Sequence, residues 1–78
     1  MFITREIESP SPGEILKEKR KMQGLSLQEC SKKLKIQKRY LEWLESDEYK
    51  RLPADIYTKN FLKRYAIFLN LDERPLLS

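Results

Sequence analysis

The stretch GLSLQECSKKLKIQKRYLEWLES, Gly24 to Ser46, decides the fold. Within it, SLQE sets Ser26 three residues before Glu29, the spacing at which the two side chains accept hydrogen bonds from each other's backbone N–H groups at a helix start. A helix therefore begins at Leu27. Its inward positions are Leu27, Cys30 or Ser31, and Leu34; Lys35 and Ile36 then break the pattern. A further helix over about Gln37 to Ser46 turns Tyr40, Leu41 and Leu44 inward. Two short helices with so brief a connection form a helix-turn-helix, in which they cross steeply around shared apolar side chains.

Upstream, SPGE repeats the capping device with Ser11 as cap, Pro12 at the first helical position and Glu14 as reciprocal partner. This first helix runs from about Pro12 to Gln23, and Gly24 is its left-handed stop. Downstream, SDEYKRLP reads as a loop, because Pro53 disfavours helix at Leu52 and is suited to open the next one. A fourth helix follows over about Ala54 to Leu69. Asp72 then caps a last short turn or helix over ERPLL, whose Leu76 and Leu77 close the bottom of the core. The expected architecture is all-α: a tail over residues 1–10 without usable periodicity, then one domain over residues 11–78 with five helices and a central helix-turn-helix.

Composition narrows the function classes. Seventy-eight residues, 40% hydrophobic and 36% charged, suit one small helical domain. No apolar run approaches the roughly 20 residues of a membrane span, and MFITREIESP lacks the order of a secretory signal, so an intracellular location is expected. With one cysteine, Cys30, and no histidine, an internal disulfide, a zinc site and an imidazole base are all excluded, so neither an enzyme nor a cofactor is expected. The net charge of +4 points weakly to an anionic partner.

The fourth helix carries more aromatic surface than so small a core requires. At about 100° per residue, Tyr57, Phe61, Tyr65 and Phe68 form one side, and Leu62, Ala66 and Leu69 continue the apolar arc. The arc is wider than the stripe a single core contact uses. Its Leu62, Tyr65 and Leu69 centre suits the core, whereas the Tyr57 and Phe61 edge stands near the surface, flanked by Asn60 and Arg64 as a polar rim. Burial of all the aromatics against neighbouring helices is the competing reading. Lys59, Lys63 and Arg64 would steer this helix toward an acidic surface. Trp43 has two open placements: packed on the loop before the fourth helix, or exposed as a second anchor.

Gly24, Leu25, Ser26, Leu34, Ile36, Leu41, Leu44 and Glu45 fall at framework positions of the Cro/C1-type helix-turn-helix family, which the stretch resembles. The longer run KIQKRYLEWLES followed by RLPADIYTKNFLKRYAIFLNLDERPLL resembles the cytoplasmic N-terminal domain of the RodZ family, and the likeness extends from Gly13 to Leu77. The resemblance implies a bacterial cell-shape protein that spans the inner membrane once, through a downstream segment, and whose cytoplasmic domain binds the actin-like filament protein MreB. It implies that Tyr57 and Phe61, with Tyr65 one turn on, belong to the MreB contact.

The competing function is a transcription regulator of the Cro/C1 type. Gln37, Lys38 and Arg39 open the second helix of the motif, the end that enters the major groove, and Lys32, Lys33 and Lys35 add to a phosphate-binding patch. Three features oppose base reading. Leu27 stands where many DNA-binding members carry a glutamine. Trp43 occupies a usual base-facing site and has no matching base-edge geometry. Glu42, Glu45, Asp47 and Glu48 would repel phosphates if they faced a duplex. Weak, salt-sensitive DNA binding remains compatible with the basic patch.

Overall fold

The computed structural model describes residues 10–71. The expected last helix with Leu76 and Leu77, and the tail before Pro10, lie outside the described residues. Within them the chain is all-helical: α1 (Pro12–Met22), α2 (Leu27–Leu34), α3 (Lys38–Glu45), a one-turn 3-10 helix (Tyr49–Arg51) and α4 (Asp55–Phe68).

Both expected capping boxes form. The Glu14 and Glu29 N–H groups donate to the hydroxyls of Ser11 (3.1 Å) and Ser26 (3.0 Å), and each serine N–H donates to the paired carboxylate at 2.9 Å. The hydrogen bonds from Ser26 hold the Glu29 carboxyl below the usual carboxylate range. α1 ends one residue earlier than the pattern suggested, with Gln23 as its cap. Gly24 then takes φ +71°, and the N–H groups of Gly24 and Leu25 return to the carbonyls of Lys21 (3.0 Å) and Arg20 (3.1 Å). This paired closure satisfies carbonyls that a helix end leaves open. α2 closes without glycine: Lys35 adopts φ 58°, and its N–H donates to the Ser31 carbonyl at 2.8 Å. The left-handed turn points the chain back inward, so Ile36, read as an interruption, is a core residue at 3% exposure.

α3 and α4 each begin and end one residue inside their expected bounds, with Gln37 and Ala54 as N-caps. Pro53 therefore lies before α4 rather than opening it. The core gathers Leu16 of α1, Cys30 and Leu34 of α2, Ile36, Leu41 and Leu44 of α3, Leu52, and Leu62, Tyr65, Ala66 and Leu69 from α4 and its cap. Of the two candidates for the middle of α2, Cys30 is the one fully buried, and burial pushes its thiol pKa up. Each fully buried leucine contributes about 1.5–3 kcal/mol relative to exposure.

Two polar clusters tie this core together. Arg20 of α1 grips Glu45 of α3 with two hydrogen bonds, Nε to Oε2 at 2.7 Å and Nη2 to Oε1 at 3.0 Å, while Nη1 donates to the Leu25 carbonyl at 2.9 Å. The Tyr65 hydroxyl of α4 donates to Glu45 Oε2 at 2.5 Å, so one carboxylate joins three helices. The second cluster centres on Asp47, which takes φ 59° just after α3. Its carboxylate accepts the Gly13 N–H at 2.8 Å together with the hydroxyls of Ser11 and Tyr49. α1 approaches so closely here that a Cβ on Gly13 would overlap the carbonyl oxygens of Leu44 and Glu45.

Candidate functional site

α4 is apolar over about half of its circumference, and Ile56 and Ile67 lie among the polar residues of the other half. Leu62, Tyr65 and Ala66 are buried, whereas Ile56 (72% exposed), Tyr57 (46%) and Ile67 (55%) face outward. The aromatic series splits for a geometric reason. Residues four apart on a helix are offset by about 40°, so each step from Tyr57 to Phe61 to Tyr65 rotates the ring further toward the core. Tyr57 is exposed, Phe61 is half-buried against the core cluster, and Tyr65 is fully buried. Tyr65 therefore offers no surface to a partner, a correction to its expected place in the contact. Burial, and then the Glu45 carboxylate, push its phenol pKa far up.

The polar rim is also partly committed. Asn60 is exposed beside Tyr57, as expected. Arg64 is exposed too, but its guanidinium donates to the Leu34 carbonyl at the end of α2, where a cation suits the negative end of the helix. It therefore binds α4 to α2 as well as edging the aromatic surface.

Rings outside α4 join that surface. Phe61 stacks on Tyr57 at 5.7 Å between centroids and, across the helix boundary, on Tyr40 of α3 at 5.8 Å; Tyr40 in turn meets Trp43 at 5.7 Å. Trp43 is half-buried and lies under the Arg51 guanidinium of the 3-10 turn, 5.5 Å from the ring centroid. Both open placements for Trp43 thus hold in part: it packs on the loop, and it continues the aromatic surface. Ile56 and Ile67 were missed because the aromatic arc drew attention to the other flank of α4; their own spacing of 11 residues, close to three helical turns, was the available signal.

The candidate phosphate-binding residues Lys35, Gln37, Lys38 and Arg39 are all exposed, as are Lys32 and Lys33. Arg39 lies over the Tyr40 ring, 5.7 Å from its centroid, so the basic and aromatic surfaces meet there. The acidic group expected to oppose DNA is smaller than its sequence suggests. Glu45 is buried against Arg20 and Asp47 is engaged at the start of α1, which leaves Glu42 and Glu48 exposed. Leu27 is half-buried against the core.

A short α2–turn–α3 pair set against α1 and backed by α4 defines a helix-turn-helix domain. The family model described as a helix-turn-helix domain matches residues 15–76, and the chain belongs to that family. It is 46% identical over 65 residues to the cytoskeleton protein RodZ of Streptococcus pneumoniae, a match that covers 83% of this chain and 24% of that protein. It is 42% identical over 48 residues to YmfM of Bacillus subtilis, an uncharacterized membrane protein, covering 62% of this chain and 17% of the other. The chain thus spans less than a quarter of either relative. Among solved structures it is similar to YmfM of Staphylococcus aureus, a membrane protein proposed to bind DNA, with a TM-score of 0.82 and 29% identity over 87% of this chain and 83% of that one.

Proposed function

We propose that this domain is a cytoskeletal adaptor that binds the actin-like filament protein MreB through the outer side of α4 and links it to the inner membrane through a segment downstream. One observation carries the reading: a 14-residue helix with a buried inner side still exposes Ile56, Tyr57 and Ile67. The apolar arc of α4 is wider than the stripe that a single core contact covers. Tyrosine and phenylalanine bury much area with few rotors, which suits them as anchors, and the likeness to a cytoskeleton protein supplies the partner class. Among the described residues no helix is long and apolar enough to cross a membrane.

The test is a titration of the labelled domain with MreB from the same organism, followed by fluorescence anisotropy at physiological salt. Saturable binding that Tyr57→Ala and Phe61→Ala weaken about tenfold or more, measured where each variant is fully folded, supports the adaptor. Full binding by both folded variants would place the contact elsewhere.

A second reading is favoured by the exposure of Lys32, Lys33, Lys35, Lys38 and Arg39 together with the likeness to a protein proposed to bind DNA. Here the start of α3 enters the major groove. Lys38→Ala should then weaken duplex binding and reduce the magnitude of its salt slope by about one.

A further inference from the structure

Four rings succeed one another at 5.7, 5.8 and 5.7 Å, from Tyr57 and Phe61 on α4 to Tyr40 and Trp43 on α3. Two guanidiniums lie over the α3 half of this row, Arg39 on Tyr40 and Arg51 on Trp43. Arg51 does not reach Trp43 by accident of a loose loop. The Glu48 N–H donates to the Trp43 carbonyl at 2.8 Å, and the Tyr49 hydroxyl donates to Asp47, so the 3-10 turn is fastened at its start. A guanidinium held over a ring keeps N–H donors available for a carboxylate. Arg51 also meets Glu48 at 3.3 Å, but both side chains are about half exposed or more, and such a pair is readily exchanged for a partner's carboxylate.

We infer that the docking surface extends from α4 across α3 as far as Trp43, and that the partner presents carboxylate side chains to Arg39 and Arg51. The inference rests on the adaptor reading above and specifies the chemistry of the partner at one end of the contact. Nucleic acid fits this end less well. Tyr57, Phe61 and Tyr40 lie nearly parallel and offset, with interplanar angles of 16° and 20°, so each ring face is partly taken up by its neighbour rather than fully open as a platform for a base. Apolar side chains flanked by acids, on a protein surface, match both the rings and the guanidiniums.

The experiment titrates the 78-residue chain with MreB and, in parallel, with a duplex DNA, using Arg39→Ala, Arg51→Ala, Arg51→Lys and the Tyr57→Ala, Phe61→Ala pair. Each arginine-to-alanine change is expected to weaken MreB binding about five- to tenfold and to flatten its salt dependence, with the unfolding midpoint unchanged. Arg51→Lys should restore part of the affinity, since it keeps the charge and loses the planar fork. If the arginine variants bind MreB like the parent while the aromatic pair does not, the surface ends at α4 and this inference fails alone. Loss of DNA binding with MreB binding intact would assign the two arginines to phosphate instead. No binding of MreB by the folded parent chain would remove the adaptor reading and this extension together.

Discussion

The Tyr65 hydroxyl donates to the Glu45 carboxylate at 2.5 Å in a place that water does not reach, with Tyr65 fully buried and Glu45 at 7% exposure. The same carboxylate neutralises Arg20, so this one contact closes a link through α1, α3 and α4. Removing Glu45 leaves a buried cation without its counter-charge. Glu45→Ala should cost about 3–5 kcal/mol, near the whole stability of so small a domain, whereas Tyr65→Phe, which spares the ion pair, should cost about 1–2 kcal/mol. Urea unfolding monitored by circular dichroism measures both.

The phenols set an alkaline limit. Burial and a neighbouring carboxylate raise the folded-state pKa of both Tyr65 and Tyr49 above the ordinary value near 10. Each contributes stability that is fully present below pH 10 and falls as pH rises past it, because the unfolded chain ionises first. For Tyr65 the loss is about 1.4 kcal/mol per pH unit. Unfolding midpoints between pH 9 and about 12 should decline in the parent and decline less in Tyr65→Phe.

Asp47 serves two ends at once, holding the start of α1 through Ser11 and Gly13 while anchoring Tyr49. Its left-handed backbone is one that asparagine tolerates and alanine resists. Asp47→Asn should therefore cost about 1 kcal/mol and Asp47→Ala about 2–3 kcal/mol, a ranking that chemical denaturation resolves.

Gly13 lies where α1 meets the end of α3 backbone to backbone. Gly13→Ala, though it improves helix propensity, should destabilise by roughly 1–3 kcal/mol because the new methyl group meets carbonyl oxygens that α3 cannot easily move. A thermal scan beside Leu16→Ala, which empties part of the core, compares overpacking with cavity formation.

Trp43 is the single tryptophan and terminates the aromatic row. A partner that covers the row to its α3 end should change tryptophan emission without any added label. Binding confined to α4 should leave that emission almost unaltered, and a titration with a tryptophan-free form of the partner distinguishes the two.

Local signals in the sequence carried most of the fold. The Ser11–Glu14 and Ser26–Glu29 pairs and Gly24 act within a few residues of themselves, so they mark helix ends to within one residue wherever the chain goes next. The polar clusters were not legible for the opposite reason. In the sequence Glu45 and Asp47 count among the acids that would oppose a duplex, because their partners Arg20 and Gly13 lie 25 and 34 residues away. The helical position of Tyr65 places it in the core, and only the family resemblance draws it into the partner contact; its full burial agrees with the helical position. Tyr40 and Trp43 could be joined to Phe61 only once α3 and α4 were set side by side.

The burial of Cys30 has a practical result. The chain holds one thiol, and the core covers it completely. A colourimetric thiol reagent can reach it only when the helices part, so the rate of its modification under native conditions counts opening events. A molecule bound to the distant aromatic row would slow that reaction without touching the sulfur, by lowering the population of the opened chain. Occupancy of the outer side of α4 would then be legible from the chemistry of one atom at the centre of the domain.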